Sequence, residues 1–377
     1  VILQLVIKKA RAEPAQFIFV IIAIASVIAL VLVLEGFRQG IYQQIRQIIM
    51  SRGADVIVAQ AGVSNMVASR SILPQLSRQA VERIDGVVEA HPMTSLPAIY
   101  DKGGRQTPVF VLVYDTLGGP AELEAGRQLA QNREIVIDRS LAVIYELLPG
   151  DDFVLNDFSF TVVGISKDTA AFFTPFAFTN YDDLIDLYFE SDIVGDLSTL
   201  PLLSFLLVEI EAGRDASRIA AEIDKRVPEV DAYLPDAIAA NDVAMSRSML
   251  GQVFQLMIVI AYLIGVLVIG LIMFSSVQKR KYELAVFKAI GFSFSRLAQS
   301  VIAESLLLTL LALPLAAVFA YVLSLLIQEA APVYLILTTE DGPMIRTLIA
   351  SLVFSILGSL MSFRMIARLE PVLALRG

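Results

Sequence analysis

Gln278-Lys-Arg-Lys-Tyr-Glu-Leu-Ala-Val-Phe-Lys-Ala-Ile-Gly-Phe-Ser-Phe-Ser-Arg296 is a basic, amphipathic stretch set between two long apolar runs. A helix rises about 1.5 Å per residue, so roughly 20 apolar residues cover the hydrocarbon core of a bilayer. Four runs meet that length: 14–37, 251–275, 299–327 and 344–363. Outward from the basic stretch, 276–298 is therefore a short loop between the second and third runs. The expected fold class is an α-helical membrane protein with four transmembrane helices.

Mean hydropathy is +0.70 and 56% of residues are apolar, yet the excess sits in those runs. Between the first two lie residues 38–250, enough chain to bury a core of its own in one or two subdomains. A large mixed α+β extracytoplasmic domain inserted between helices 1 and 2, with helical stalks at both ends, is expected there. Orientation follows from cations in short flanks, which stay on the cytoplasmic side. Lys8, Lys9 and Arg11 precede the first span, Lys279, Arg280, Lys281, Lys288 and Arg296 occupy the 276–298 loop, and Arg364, Arg368 and Arg376 lie in the 364–377 tail. The short 328–343 loop has Glu329, Glu340 and Asp341. Both termini and the basic loop are thus expected in the cytoplasm, with the large domain and the 328–343 loop outside.

Residues 38–250 hold 17 Lys and Arg against 30 Asp and Glu. So acidic a surface repels nucleic acid. There are no cysteines, so disulfides and thiolate chemistry are excluded. The first run lacks a small-residue cleavage site behind a short apolar core and is expected to remain as an anchor. Residues 1–13 place Val1, Ile2, Leu5 and Val6 before Lys8, Lys9 and Arg11, a pattern for an interfacial cytoplasmic helix over anionic lipid headgroups, or for a frayed terminus.

Within the large insert, Ile41, Ile45, Ile48 and Ile49 continue a helical period past the first span. Strands are expected at 54–59, 98–100, 109–114, 134–137, 153–155, 158–163, 205–210 and 230–233, and helices at 74–84, 140–147 and 216–227. Gly103-Gly104 and Asn156-Asp157 mark hairpin turns. Phe172, Phe173, Phe176 and Phe178 surround Pro175, either as an exposed contact patch or as a core-facing loop.

Catalytic signatures are missing. No glycine-rich loop ends in Lys and Ser or Thr, so this chain is expected neither to hydrolyse ATP by that route nor to hold a cofactor. His91 is the only histidine; it has no companions for a zinc site or a serine triad, and nothing local supports haem ligation by His91 or Glu35. The chain is expected not to be an enzyme. Glu304 lies early in the third span, where a carboxylate is expensive unless wet, paired or near the interface; it is either a functional residue or a headgroup-level one paired with a nearby cation such as Arg296 or Arg364. Glu35 is expected at the outer interface. Pro314 should kink the third helix.

The basic loop carries the sharpest signal. Residues 281–290 suit a three-turn helix with Gly291 as its left-handed stop and Ser293 as the next cap. Tyr282, Ala285, Val286 and Ala289 would form one apolar stripe, either lying on the headgroups or docking a cytoplasmic partner.

From Lys281 to Ser293 the chain closely resembles the cytoplasmic loop of the FtsX-like/MacB-like ABC transporter permeases. The closing segment Ala367-Arg-Leu-Glu-Pro-Val-Leu-Ala-Leu-Arg376 is similar to that family's tail. Glu134-Ile-Val-Ile-Asp-Arg-Ser-Leu-Ala142, Pro149-Gly-Asp-Asp-Phe-Val-Leu155 and Phe160-Thr-Val-Val-Gly-Ile165 resemble its exterior domain. The resemblance implies two permease copies, or a permease and a sibling, above a cytoplasmic ABC ATPase dimer. It places Tyr282, Glu283, Ala285, Val286, Phe287, Ala289, Ile290 and Gly291 on the ATPase-coupling helix, Glu304 on an acidic position early in the third span, and Pro371, Ala374 and Leu375 on the tail motif. No fused nucleotide-binding domain is present in this sequence, and a periplasmic adaptor is left open.

The function expected is that of an ABC permease subunit coupling ATP hydrolysis by its partner to motion of the exterior domain, for export or extraction of a hydrophobic or amphiphilic substrate. Two alternatives stand beside it: a non-transporting mechanotransmitter that regulates a cell-wall hydrolase, and a membrane-anchored sensor or adhesion receptor.

Overall fold

A computed structural model describes residues 13–67, 71–74, 76–155, 157–167, 169–171, 173–190 and 203–367. The expectations for an N-terminal interfacial helix, for Phe172 and for the tail residues Pro371, Ala374 and Leu375 fall outside them. The chain divides into two compact units, one of residues 40–251 and 328–335 and one of the remainder.

The membrane unit contains the four apolar helices. Their full extents are Pro14–Met50, Pro235–Lys279, Phe294–Ala330 and Asp341–Leu360, so three of them run well beyond the apolar stretch. Two begin on proline, whose fixed φ suits the first helical turn and whose missing N–H is no loss there. The third helix passes unbroken through Pro314. Between spans, where burial from water gives no drive, small residues let backbones approach. On Gly358 a side chain would meet the backbone nitrogen of Gly270 at 2.8 Å, so the second and fourth helices touch backbone to backbone. Ser305 and Ser355 join the third and fourth helices, Oγ to Oγ at 2.8 Å, and Ala312, Ala316 and Ala320 line the buried side of the third.

The other unit is built on a mixed sheet of strands β1 (Val56–Gln60), β2 (Val87–Lys102), β3 (Arg105–Tyr114), β4 (Leu123–Gly126), β5 (Glu134–Asp138), β6 (Asp152–Leu155), β7 (Phe158–Ser166), β8 (Ala170–Ala171), β9 (Thr174–Thr179), β10 (Phe205–Ile210) and β11 (Val230–Tyr233). Their order is β11-β1-β10-β2-β3-β9-β5-β7-β4, with β6 on β7 and β8 on β9. Parallel pairing occurs at β3 with β9 and at β5 with β7. The β2–β3 hairpin closes on Gly103 and Gly104, both at positive φ, as a two-residue primed turn requires. Helices Leu76–Glu82, Arg139–Tyr145, Tyr181–Glu190 and Ala216–Arg226 complete the unit.

Alternation of side chains along each strand sends neighbours to opposite faces. Ile57, Ala59, Leu112, Tyr114, Val136, Phe205 and Leu207 share one core along the sheet. On the other face Val111, Val113, Ile135 and Ile137 enter a second core, and Val56, Val58, Leu206 and Val208 a third. Both faces are therefore covered, which explains strands that read as continuous apolar runs. Ile48 and Ile49 at the end of the first long helix, and Ile238 and Ala239 at the start of the second, join the shared core. These two helical segments lie side by side and antiparallel: Arg46 pairs with Asp236, and Arg247 lies over the Tyr42 ring at 5.6 Å.

The Phe-rich stretch is neither patch nor loop. It is strand β9, inside the sheet order, with Phe176 and Phe178 buried in the shared core while Phe173 is exposed. His91 is buried in β2 opposite Leu207 on β10. Its two ring nitrogens lie 3.9 Å from Glu89 and 3.8 Å from Glu209.

Candidate functional site

The basic loop forms the helix Lys281–Ala289. It ends in a Schellman arrangement: Phe292 N donates to Phe287 O at 3.0 Å, Gly291 N donates to Lys288 O at 3.2 Å, and Gly291 takes φ +101°. The Phe287 and Phe292 rings, 5.4 Å apart, supply the apolar contact that accompanies this stop. The following helix opens behind Ser293, whose backbone oxygen accepts from Leu297 N at 3.2 Å.

One face of this short helix is spoken for. Leu284 packs with Val277, Leu297, Val301 and Ile366, which belong to the ends of the neighbouring helices, and Ala285 is fully buried beside it. Ala285 therefore leaves the docking stripe expected from the sequence, because the helix is turned so that Leu284 and Ala285 both face inward. Tyr282, Glu283, Val286, Phe287, Ala289, Ile290 and Gly291 are exposed. Positions 282, 286, 289 and 290 fall on one side at helical spacing, so an apolar face remains open.

A polar joint fixes the helix from its start. Arg280, the residue before the helix, donates from Nε to Glu283 at 3.0 Å and from Nη1 to Glu304 at 3.0 Å. Ser276 Oγ donates to the same Glu304 carboxylate at 3.3 Å. Glu304 is buried in the third helix, and its partners include Arg280, a cation that the sequence reading did not offer. The physical reason is the short connection: Val277 through Arg280 turns directly from the second helix into the loop helix and carries the guanidinium over Glu304. At the other end Lys288 Nζ donates to Ala367 O at 3.2 Å.

A second carboxylate is equally well held. Glu35, expected as an interfacial residue, is only 1% exposed. It accepts from Arg38 at 2.6 Å, from Arg346 Nε at 2.8 Å and from the Tyr262 hydroxyl at 3.3 Å. Beside it Gly36 leaves room for the chain of Leu337, whose carbonyl oxygen a side chain would meet at 2.8 Å. Glu35 thus ties the first, second and fourth helices together. A signal for this was present in Arg346, a lone cation early in the fourth span whose partner had to lie on another helix.

Sequence reasoning also passed over the buried carboxylates of the other unit. Asp138 caps the Arg139–Tyr145 helix by accepting from Ser140 N at 2.8 Å and binds Thr169 N at 3.0 Å; burial pushes its pKa up against these hydrogen bonds. Glu134 accepts from Arg127 and from the backbone of Ala130 and Gln131, and the Arg127 hydrogen bond in particular lowers its pKa to about 2. These residues lie within the stretch singled out by resemblance, and what they do is hold loops in place. Among the described residues no group of three or more His, Asp or Glu is placed to hold a metal ion.

Comparison with known proteins places these features in company. A family model described as the MacB-like periplasmic core domain matches residues 18–226, and one described as the FtsX-like permease C-terminal matches residues 256–371. An ABC transporter permease of Mycobacterium bovis is 23% identical over 367 residues, covering 96% of each chain. A protein of Staphylococcus epidermidis named for hemin transport as the permease HrtB is 20% identical over 378 residues, covering 98% of each. The crystal structure of the periplasmic region of MacB from Actinobacillus actinomycetemcomitans covers 51% of this chain and 94% of that one, at 14% identity and a TM-score of 0.37.

Proposed function

Because the chain belongs to the FtsX-like and MacB-like ABC transporter permeases, we propose that it is the membrane subunit through which a separate cytoplasmic ATPase dimer moves an extracytoplasmic domain. The observation that carries this reading is the Lys281–Ala289 helix, open and apolar on Tyr282, Val286 and Ile290, yet anchored by Leu284 and by Arg280 on Glu304. An element free to be gripped on one face and fixed to the spans on the other transmits displacement instead of absorbing it. Closure of the ATPases on nucleotide would bias such an element between two positions.

In this reading the cationic loop and both termini face the cytoplasm of a bacterial inner membrane, as the positive-inside rule directs. ATP and Mg²⁺ are held by the partner, and this chain is a non-catalytic subunit. A second permease copy, or a sibling, completes the complex. The cargo is a hydrophobic or amphiphilic molecule, a class that includes the hemin for which one relative is named.

Co-purification tests the interface. Val286→Asp with Ala289→Asp alters two exposed positions, so the variant should fold and lose the ATPase. A folded variant that keeps the ATPase at wild-type yield removes the assigned surface. Substrate-stimulated ATP turnover in the reconstituted complex then separates a transporter from a regulator of a wall hydrolase.

A further inference from the structure

A cavity of about 560 Å³ opens in the extramembrane unit, and its lining contains none of the residues assigned to coupling. Its lining includes Arg52, just beyond the end of the first long helix and only 2% exposed. Two arms of the guanidinium are engaged. Nε donates to Ile48 O at 2.6 Å, and Nη1 donates to Gly118 O and, at 3.3 Å, to Gly119 O. The plane lies over the Phe178 ring, 5.2 Å from its centroid. The remaining nitrogen, Nη2, is buried and has no hydrogen-bond partner among the described residues.

Arg52 forms no ion pair among the described residues. Burial lowers its pKa to about 10, so it stays charged at neutral pH. A buried cation held only by carbonyls and a ring is incompletely compensated, and an unmet guanidinium nitrogen adds to that cost. Two glycines of the lining pack closely on Tyr114. Gly118 takes φ +112°, and at Gly119 a side chain would meet the Tyr114 ring at 2.7 Å. The facing wall is rich in amides, from Gln128, Asn132 and Asn180. Glu134 braces this wall through Ala130 N at 2.8 Å and Gln131 N at 3.1 Å. The volume is that of a small-molecule site, and few, convergent polar groups are what such sites use for orientation.

We propose that this cavity binds a small polar ligand presenting one oxyanion to the Arg52 guanidinium, whose unmet Nη2 turns toward it on binding, with the amide wall hydrogen-bonding the rest of it. Asp115 also lines the cavity, and its negative charge favours a monoanion, a carboxylate ahead of a phosphate.

Calorimetric titration of the full chain in detergent tests this with three probes: triglycine, its C-terminal amide triglycinamide, which keeps the ammonium and lacks the carboxylate, and glycerol 3-phosphate. Triglycine should bind saturably, and triglycinamide at least about tenfold more weakly, the size of one lost charged contact. Comparable binding of glycerol 3-phosphate also supports the site and assigns the oxyanion to a phosphate. Arg52→Gln should abolish binding of either anion. Since Arg52 also holds the Gly118 loop, Asn132→Asp gives the independent arm: it alters an exposed position, should leave the thermal midpoint unchanged, and should weaken anion binding about tenfold. The site is overturned if neither anion binds saturably up to about 10 mM, if acid and amide bind alike, or if folded Asn132→Asp binds as the wild type does.

Discussion

Arg280 Nη1 donates to Glu304 at 3.0 Å, which ties the residue ahead of the loop helix to a carboxylate buried in the third span. Removing one member of a buried pair leaves the other uncompensated, whereas replacing both with apolar groups of similar volume is close to neutral. Arg280→Ala should therefore destabilise the membrane unit by about 3 kcal/mol, read as a lower thermal midpoint in detergent. Arg280→Met with Glu304→Leu should recover most of that loss by the same measure. A double variant no more stable than Arg280→Ala refutes the pairing.

The two alanines of the loop helix should behave oppositely. Ala285 is fully buried, so Ala285→Leu forces extra volume into a packed joint at a cost of about 1–3 kcal/mol. Ala289 is exposed, so Ala289→Leu should leave stability unchanged within about 0.5 kcal/mol. Equal thermal midpoints for the two variants would contradict the orientation of the helix.

Glycine contacts between the second and fourth spans rank in a specific order. On Gly358 a Cβ would meet backbone, the Gly270 nitrogen at 2.8 Å and the Val266 oxygen at 3.0 Å. On Gly270 it would first meet the sulfur of Met361, the far end of a flexible side chain. Gly358→Ala should therefore cost more than Gly270→Ala, by about 1 kcal/mol or more. Comparing thermal midpoints of the two variants in one detergent decides the ranking.

Acid should loosen the loop braced by Glu134. Its pKa is depressed from an ordinary 4.5 to about 2, first by the hydrogen bond from Arg127. A depressed carboxylate contributes stability that is full above the unfolded value and is lost as pH falls through the folded one. The loss is thus expected between about pH 4.5 and about pH 2. Asp138 and Asp183 act in the opposite sense, since burial raises both and acid relieves the penalty on their charged forms. Glu134→Gln should be less stable than wild type at neutral pH and should flatten the acid limb, as followed by the thermal midpoint across that range.

The spans were legible because an apolar run of that length has one common use, and the loop helix because Gly291 and Ser293 punctuate it. What escaped was decided by tertiary context. Strand β2 carries Pro92 and Pro97, and β9 carries Pro175; proline argues against a paired strand, so the stretch before Ala98 and the Phe-rich segment looked irregular. The second long helix starts at Pro235, well before its apolar run, because Ile238 and Ala239 pack on the sheet and buried Asp242 accepts from Met66 N and Val67 N. Glu304 announced itself as a carboxylate in the wrong solvent, but its partner depended on how a four-residue turn places a side chain. Arg52 gave no signal at all, since Ser51-Arg52-Gly53 reads as an ordinary solvated turn.

The chain enters and leaves the sheet unit along neighbouring helices, Arg46 against Asp236 and Tyr42 against Arg247. Any polypeptide substituted between residues 50 and 235 meets two geometric demands, that its ends lie about one helix diameter apart, near 10 Å, and that it offers a seat to residues 328–335, which belong to the same unit. A sheet held on such terms is an interchangeable cassette, refitted for new tasks by splicing at one paired doorway and matching one small strip.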